Sequence, residues 1–423
     1  MRALYTLLWI TALPVALLRL LWRSLKAPAY RRRWAERFGR FRPPARPGGV
    51  WIHAVSVGEV QAVQPLIVRL LKRDLGGTLA VTTTTPTGSA RVRELFGDQV
   101  FHVYFPFDLP WAVRGFLDRV RPRLAVLVET EVWPNLLAEC DRRRIPVLLA
   151  NGRLSERSAQ GYRRFGSLSR ETFGRFSAVA AQSEADAQRF AEVGVPPQRL
   201  TVTGSIKFDQ SIRGSVKEQA EVVRREWGAD RPVWVAASTH EGEEEWVLDA
   251  HEQVLRALPG ALLVLVPRHP ERFDRVAQLV QRRRLAIRRR TERTPPSPAT
   301  AVFLGDTMGE LPIFLAAADA AFVGGSLVPV GGHNVLEPAA FGVPVAFGPH
   351  MFNFAQISGM LLAAGAAVQV DGADRLGKTM QGWLGNASLR ARVGENGRRV
   401  VEANRGALER VLGLVDGLLQ EAG

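Results

Sequence analysis

From residue 50 onward the chain alternates short apolar runs with amphipathic stretches. That alternation restricts it to βαβ units built around parallel sheet. VWIHAV (50–55), TLAVTTT (78–84), VFHVYF (100–105), RLAVLVE (123–129), IPVLLAN (145–151), AVAAQ (178–182) and RLTVTG (199–204) read as strands. Helical stretches such as EVQAVQPLIVRLLKR (59–73) lie between most of them. The strand pattern stops at SIKFDQSIRGSVKEQ (205–219), which reads as a linker. It restarts with PVWVAAS (232–238), ALLVLVP (261–267), TAVFLGD (300–306), AAFVGGS (320–326), VPVAFGP (343–349) and AAVQV (366–370), and a helical pattern fills 386–421. Two doubly wound α/β halves are expected to face a cleft, with ligands beyond the carboxyl ends of their strands. A length of 423 residues is compatible with two or three domains. The single cysteine, Cys140, excludes a disulfide framework and a cysteine-cluster metal site.

The amino-terminal end is of another kind. Residues 3–22, ALYTLLWITALPVALLRLLW, carry one charge, Arg19, and reach about 30 Å as a helix, the thickness of a bilayer core. The formal net charge is +15, and the first 46 residues hold eleven basic side chains against one acid, Glu36. Ten of the fifteen charges therefore sit beside the apolar stretch. This excess reads as a collar for anionic lipid, with Arg31, Arg32 and Arg33 in it, rather than as a nucleic-acid footprint. A cleaved signal peptide fits poorly, because only Arg2 precedes the apolar run and no small-residue cleavage site follows. The expected organisation is an anchor over 1–25, a basic juxtamembrane segment over 26–48, an amino-terminal Rossmann-like domain over 49–214 and a carboxy-terminal one over 215–423. The orientation rule for basic residues places the body on the cytoplasmic side, with spanning and monotopic insertion both open. The basic, proline-containing stretch 282–300 reads as a solvated strand edge and loop.

The loops after the strands carry the polar chemistry. Glu59 falls in the first helical turn after the first strand, where it either complements the helix dipole or serves as a general base. Glu129 and Glu131 end an apolar strand beside Trp133, a costly place for two acids unless they are paired. Asn151, Arg153 and Ser155 follow another strand, and Lys207 another. In the second half, Ser238, Thr239 and Gly242 suit a loop whose amides face an anion. Pro267 and Arg268 follow the next strand, and Arg268 suits phosphate or a base. Met308, Gly309 and Glu310 precede a helix, and glycines flank His333, Asn334 and Glu337. Asn334 and Glu337, three apart, share one helix face. No G-x-x-x-x-G-K-[ST] loop and no His/Cys metal spacing occurs, and His333 reads as a hydrogen-bonding residue rather than a metal ligand.

S-V-G-E (56–59), E-T-E-V-W-P-N (129–135), N-G-R-L-S (151–155), K-F-D (207–209), P-R-H-P (267–270), D-T-M-G-E-L (306–311) and G-G-H-N-x-x-E-P (331–338) occur in this order behind an apolar amino terminus. This combination resembles the Kdo (3-deoxy-D-manno-octulosonic acid) transferases of Gram-negative lipopolysaccharide synthesis, over essentially the whole chain. The resemblance implies a glycosyltransferase B fold, with the last helix returning to the first domain. It also implies inverting transfer of Kdo from CMP-Kdo to the 6′-hydroxyl of a lipid A precursor, at the cytoplasmic face of the inner membrane. By the same resemblance Glu59 is the catalytic base. Arg268, Met308, Gly309, Asn334 and Glu337 match the CMP-contacting motifs, with Ser238, Pro267 and Glu310 beside them. Glu131, Arg153 and Lys207 are further active-site candidates. The expected partners are CMP-Kdo, the lipid A precursor and an anionic membrane surface, with no nucleic acid, no metal and no cofactor. One departure is visible: Ser205-Ile206 precedes the Lys of K-F-D, where the family pattern has Asn-Leu. Competing readings are a B-fold glycosyltransferase using a UDP-sugar, a sugar-nucleotide epimerase or hydrolase of the same fold, and a membrane-tethered lipid- or nucleic-acid-binding protein without catalysis.

Overall fold

The structure, a computed structural model, describes residues 1–209 and 214–421. It divides into two compact units, Met1–Gln210 with Asn404–Gly423, and Ser211–Ala403. Residues 210–213 of the expected linker lie outside the described residues. On either side of them stand a 3-10 turn, Ile206–Asp209, and a helix, Gly214–Trp227.

The first unit is a parallel sheet of seven strands: β1 (Val50–His53), β2 (Ala80–Thr83), β3 (Phe101–Tyr104), β4 (Leu124–Val128), β5 (Val147–Gly152), β6 (Ala178–Ala181) and β7 (Leu200–Val202). Their spatial order is β3-β2-β1-β4-β5-β6-β7, so the winding reverses between β1 and β4. The apolar runs are continuous because both faces are covered. Val50 and Ile52 enter one hydrophobic cluster, while Trp51 between them enters the opposite one.

The second unit repeats the design with β8 (Val233–Thr239), β9 (Leu262–Pro267), β10 (Ile287–Arg289), β11 (Val302–Leu304), β12 (Ala320–Val323), β13 (Val345–Phe347) and β14 (Ala367–Gln369). The order is β10-β11-β9-β8-β12-β13-β14, with the reversal between β8 and β12. β10 lies at the edge of this sheet, inside the basic stretch 282–300.

The last helix, Ala407–Glu421, belongs to the first unit. Its Leu408, Val411, Leu412, Val415 and Leu418 join the cluster under β1 and β4, each buried aliphatic side chain contributing about 1.5–3 kcal/mol. Asp209 caps its start, Oδ1 accepting from the Gly406 amide at 2.7 Å and Oδ2 from Leu408 at 2.6 Å. The last residue of the K-F-D motif is therefore the clasp that seats the returning helix.

One helix, Arg2–Lys26, is long and apolar enough to cross a membrane by length and composition. Its polar stripe is nevertheless docked on the first unit. Tyr5 donates to Asp108 at 3.0 Å, Thr6 to Asn135 at 3.1 Å, and Trp9 to Tyr5 at 2.7 Å. At the other end, Ser24 accepts from Arg31 at 2.9 Å. The opposite face exposes Leu7, Leu8, Val15, Leu18, Trp22 and Leu25.

The basic collar needs correction. Arg33 is spent inside the unit, on Glu36 at 2.6 Å, Ser89 at 3.0 Å and the His102 carbonyl at 2.9 Å. Arg37 is buried, donates to the Thr84 carbonyl at 2.8 Å and lies over Tyr104. Arg19, Arg23, Arg31, Arg32, Arg40 and Arg42 remain exposed. Arg33 and Arg37 fill the gap between the basic segment and β3, so charge counted along the chain overstates what a lipid surface meets.

Asp209→Ala removes two helix-start acceptors and is expected to cost about 1–2 kcal/mol. Urea unfolding followed by circular dichroism measures this; a midpoint equal to that of the wild type would show that the clasp is not needed.

Candidate functional site

Ligands of open parallel sheets gather beyond the strand ends where the winding reverses. In the first unit those are the loops after β1 and β4, and three glutamates sit there.

Glu59 lies in the first turn of the helix Val57–Leu71. Its side chain reaches back over the helix start to accept from the Val55 amide at 2.7 Å and the Ser56 hydroxyl at 3.1 Å. Burial pushes its pKa up to about 8; the Val55 amide opposes this, and the charges of Glu129 and Glu131 add to the rise. The contacts at the helix start aim the carboxyl group, and burial sets its affinity for a proton near neutrality.

Glu129 sits at a left-handed φ of 62° and pairs with Lys207 Nζ at 3.1 Å. Glu131 accepts from Trp133 Nε1 at 2.8 Å, and His53 Nε2 lies 3.5 Å from it. Arg153 joins through its carbonyl oxygen, which accepts from the Thr130 hydroxyl. Asn151, also left-handed, accepts from the Ile206 amide at 3.2 Å and braces the turn that carries Lys207. Glu59, Glu129, Glu131 and Lys207 therefore form one cluster.

In the second unit the reversal lies between β8 and β12. Between the loops after β8 and β12 stands an anion that the chain itself supplies. Glu243, fully buried, accepts from His240 at 2.9 Å, Gly325 at 2.7 Å, Ser326 at 3.0 Å and Leu327 at 2.9 Å. Four amides onto one carboxylate satisfy a charge that would otherwise be prohibitive to bury. Gly324 must be glycine there, since a Cβ would stand 2.7 Å from the Ser238 carbonyl oxygen and 2.9 Å from Glu243.

The glycine-rich loop so held carries His333, Asn334 and Glu337. Asn334 donates to Glu337 at 3.0 Å and accepts from the Leu336 amide at 3.1 Å. Burial pushes the Glu337 pKa up, against the Asn334 hydrogen bond and the charge of Arg268. His333 Nε2 meets His240 Nε2 at 2.8 Å, and the rings stack 6° from parallel. Burial, then His240, Arg268 and His269, hold His333 down to about 3, so the pair shares one proton and is neutral at pH 7.

Pro267 ends β9 opposite Thr239, and the Arg268 amide donates to the Thr239 carbonyl at 3.0 Å. Met308 is 61% exposed, and Gly309 is left-handed at φ 85°. Glu310 is committed to Arg290 at 2.7 Å, which with the Thr307 hydroxyl holds its pKa low. Arg289 likewise grips Asp306 at 2.7 Å. The basic stretch read as a solvated edge thus clamps the 306–310 loop. Among the described residues no three His, Cys, Asp or Glu side chains group as a metal-holding cluster.

The family model described as 3-Deoxy-D-manno-octulosonic-acid transferase (kdotransferase) matches residues 32–210. A 3-deoxy-D-manno-octulosonic acid transferase of Haemophilus influenzae is 43% identical over 99% of both chains. The chain belongs to the Kdo transferase family. A Bordetella pertussis 3-deoxy-D-manno-octulosonic acid transferase is 40% identical over 89% of each chain. In fold, the chain is similar to UDP-GlcNAc 2-epimerase from Neisseria meningitidis, with a TM-score of 0.57 at 13% identity over 86% of this chain and 99% of that one. The fold is the glycosyltransferase B class, two Rossmann-like units, and the activity is that of a Kdo transferase.

In this Kdo transferase His53, His240, Glu243, Arg289 and Arg290 escaped sequence reading. His240 and Glu243 follow β8 directly, which was a usable signal. Three of the four partners of Glu243 lie 82 to 84 positions away, which was not.

His333 gives a pH prediction. Its folded pKa, about 3, lies below the ordinary 6.5, so its contribution is complete above pH 6.5 and is lost as pH falls toward 3. Urea midpoints should decline across that window in the wild type and less steeply in His333→Leu. Equal slopes would contradict the neutral pair.

Proposed function

We propose that this Kdo transferase takes the sugar from CMP-Kdo and transfers it, with inversion, to the 6′-hydroxyl of a lipid A precursor at the cytoplasmic face of the inner membrane. The observation that carries the reading is Glu59, a carboxyl group with a pKa of about 8 at the winding reversal of the first sheet. In its ionised form it takes the proton of the acceptor hydroxyl while that oxygen attacks the anomeric carbon. The bond to the CMP phosphate breaks on the opposite side, which inverts the centre. Lys207 and Glu129, paired with each other, and Glu131 set the charge around the base.

The donor belongs to the second unit in this reading. Arg268 meets the phosphate, and the leaving CMP carries its charge away beside that guanidinium. Asn334 and Glu337, fixed on one another, offer acceptors to ribose hydroxyls. Gly309 lets the backbone approach the nucleotide, with Met308 exposed beside it and Ser238, Pro267 and Glu310 shaping the surrounding loops. The two identifications are tested together. Glu59→Gln should lower kcat by about 10²–10⁴-fold while CMP affinity in calorimetry stays at wild-type strength. Arg268→Ala should weaken CMP binding by about 1–3 kcal/mol. In the wild type, kcat/KM should climb with pH toward about 8, because the raised pKa keeps the base protonated below it. Turnover by Glu59→Gln at the wild-type rate would remove the base assignment.

The membrane part of the reading is an in-plane helix. Tyr5 and Thr6 at one end and Ser24 at the other are bonded to the first unit or its basic segment, which favours a helix lying along the surface over one crossing it. The leucine face would enter the acyl boundary, with exposed arginines at the headgroups. Leu18→Glu with Leu25→Glu should reduce cosedimentation with phosphatidylglycerol vesicles at least tenfold, since each buried leucine is worth about 1.5–3 kcal/mol. Unchanged cosedimentation would move the contact elsewhere.

A further inference from the structure

His53 ends β1 with no exposed surface, its ring 3.9 Å from that of Phe105 and nearly parallel to it. Its two nitrogens have different surroundings. Nδ1 lies 2.9 Å from the Thr82 hydroxyl and 3.3 Å from the Thr82 carbonyl. Nε2 is buried without a hydrogen bond of its own, and Glu131 Oε2 stands 3.5 Å away.

The carboxylate of Glu131 beside Nε2 selects one tautomer, and the Thr82 hydroxyl can serve it. Trp51 Nε1 only donates, and it donates to the Thr82 hydroxyl oxygen at 2.9 Å. That oxygen, accepting from the indole, has one proton to give, and His53 Nδ1 is within reach. An imidazole that accepts at Nδ1 carries its proton at Nε2, toward Glu131. The opposite tautomer would turn a bare lone pair on a buried nitrogen toward a carboxylate.

We propose that His53 is a positioning residue for Glu131, its tautomer set by a Trp51–Thr82 hydrogen-bond chain so that Nε2–H points at the carboxylate. Glu131 then has two fixed N–H partners, Trp133 Nε1 and His53 Nε2. At 3.5 Å the contact lies at the outer edge of hydrogen-bond reach. Glu131 is one of the two charges that raise the proton affinity of Glu59, so its placement reaches the base directly. The inference rests on the reading of Glu59 and Glu131 as reaction-site residues.

The test combines an imidazole readout with kinetics. The full chain is labelled with 15N-histidine and examined in detergent, with the His53 signal assigned by its loss in His53→Asn. The wild type and Thr82→Ser should show a neutral ring protonated at Nε2. Thr82→Val should move the proton to Nδ1 and lower kcat for Kdo transfer about ten- to a hundredfold, with KM for CMP-Kdo unchanged. Thr82→Ser should restore kcat. A wild-type ring protonated at Nδ1 or at both nitrogens would overturn the proposal, as would wild-type kcat in Thr82→Val. Should Thr82→Val fail to fold, the wild-type tautomer decides. The tautomer is read without turnover, so an error in the roles of Glu59 and Glu131 shows in their own variants and is distinguishable from failure of the relay.

Discussion

A carboxylate removed from water must gather donors or take up a proton, and both units are organised around that requirement. Glu243 is the fully satisfied case: four amides converge on it, and in doing so they tie the turn after β8 to the loop after β12. Glu59 is the partly satisfied case. One amide and one hydroxyl do not offset its burial, so it retains affinity for a proton near neutral pH. Glu129 recruits Lys207, and Glu310 recruits Arg290. The same residue type serves as rivet, proton-holding group or strut according to how many donors reach it.

The sheets explain why these carboxylates lie where they do. A parallel strand buried on both faces takes mainly apolar side chains, so most polar chemistry is displaced to its ends. Reversal of the winding between β1 and β4, and between β8 and β12, opens the crevice at those ends. Glu59 and Glu131 come from the two loops of the first reversal, and His240 and His333 from those of the second. In each unit the residues that meet are far apart in sequence and adjacent only through strand order.

Much of this was legible in the residue order, for local reasons. Buried strands show as apolar runs, and the thirteen runs from VWIHAV to AAVQV each contain a strand. Asn334 stands just before the helix Leu336–Ala340 and Glu337 in its first turn, so their hydrogen bond follows from close spacing. Glu59 occupies the position from which a side chain reaches back over a helix start. The errors have physical causes as well. Arg33 and Arg37 count as surface charge until β3 and its neighbours supply acceptors. Arg289 and Arg290 look solvated until Asp306 and Glu310 arrive from the adjoining strand end.

The amino-acid order sufficed for two α/β units, an apolar amino-terminal helix beside a basic segment, and a short set of polar loop residues. Periodicity and nearest-neighbour chemistry are written along the chain. Which amides a carboxylate collects, which nitrogen of His53 faces Glu131, and whether an arginine meets lipid or a carbonyl were settled when distant segments packed together. Those outcomes depend on distances of about 3 Å between groups tens of positions apart, and strand order and side-chain packing, not spacing in the chain, set such distances.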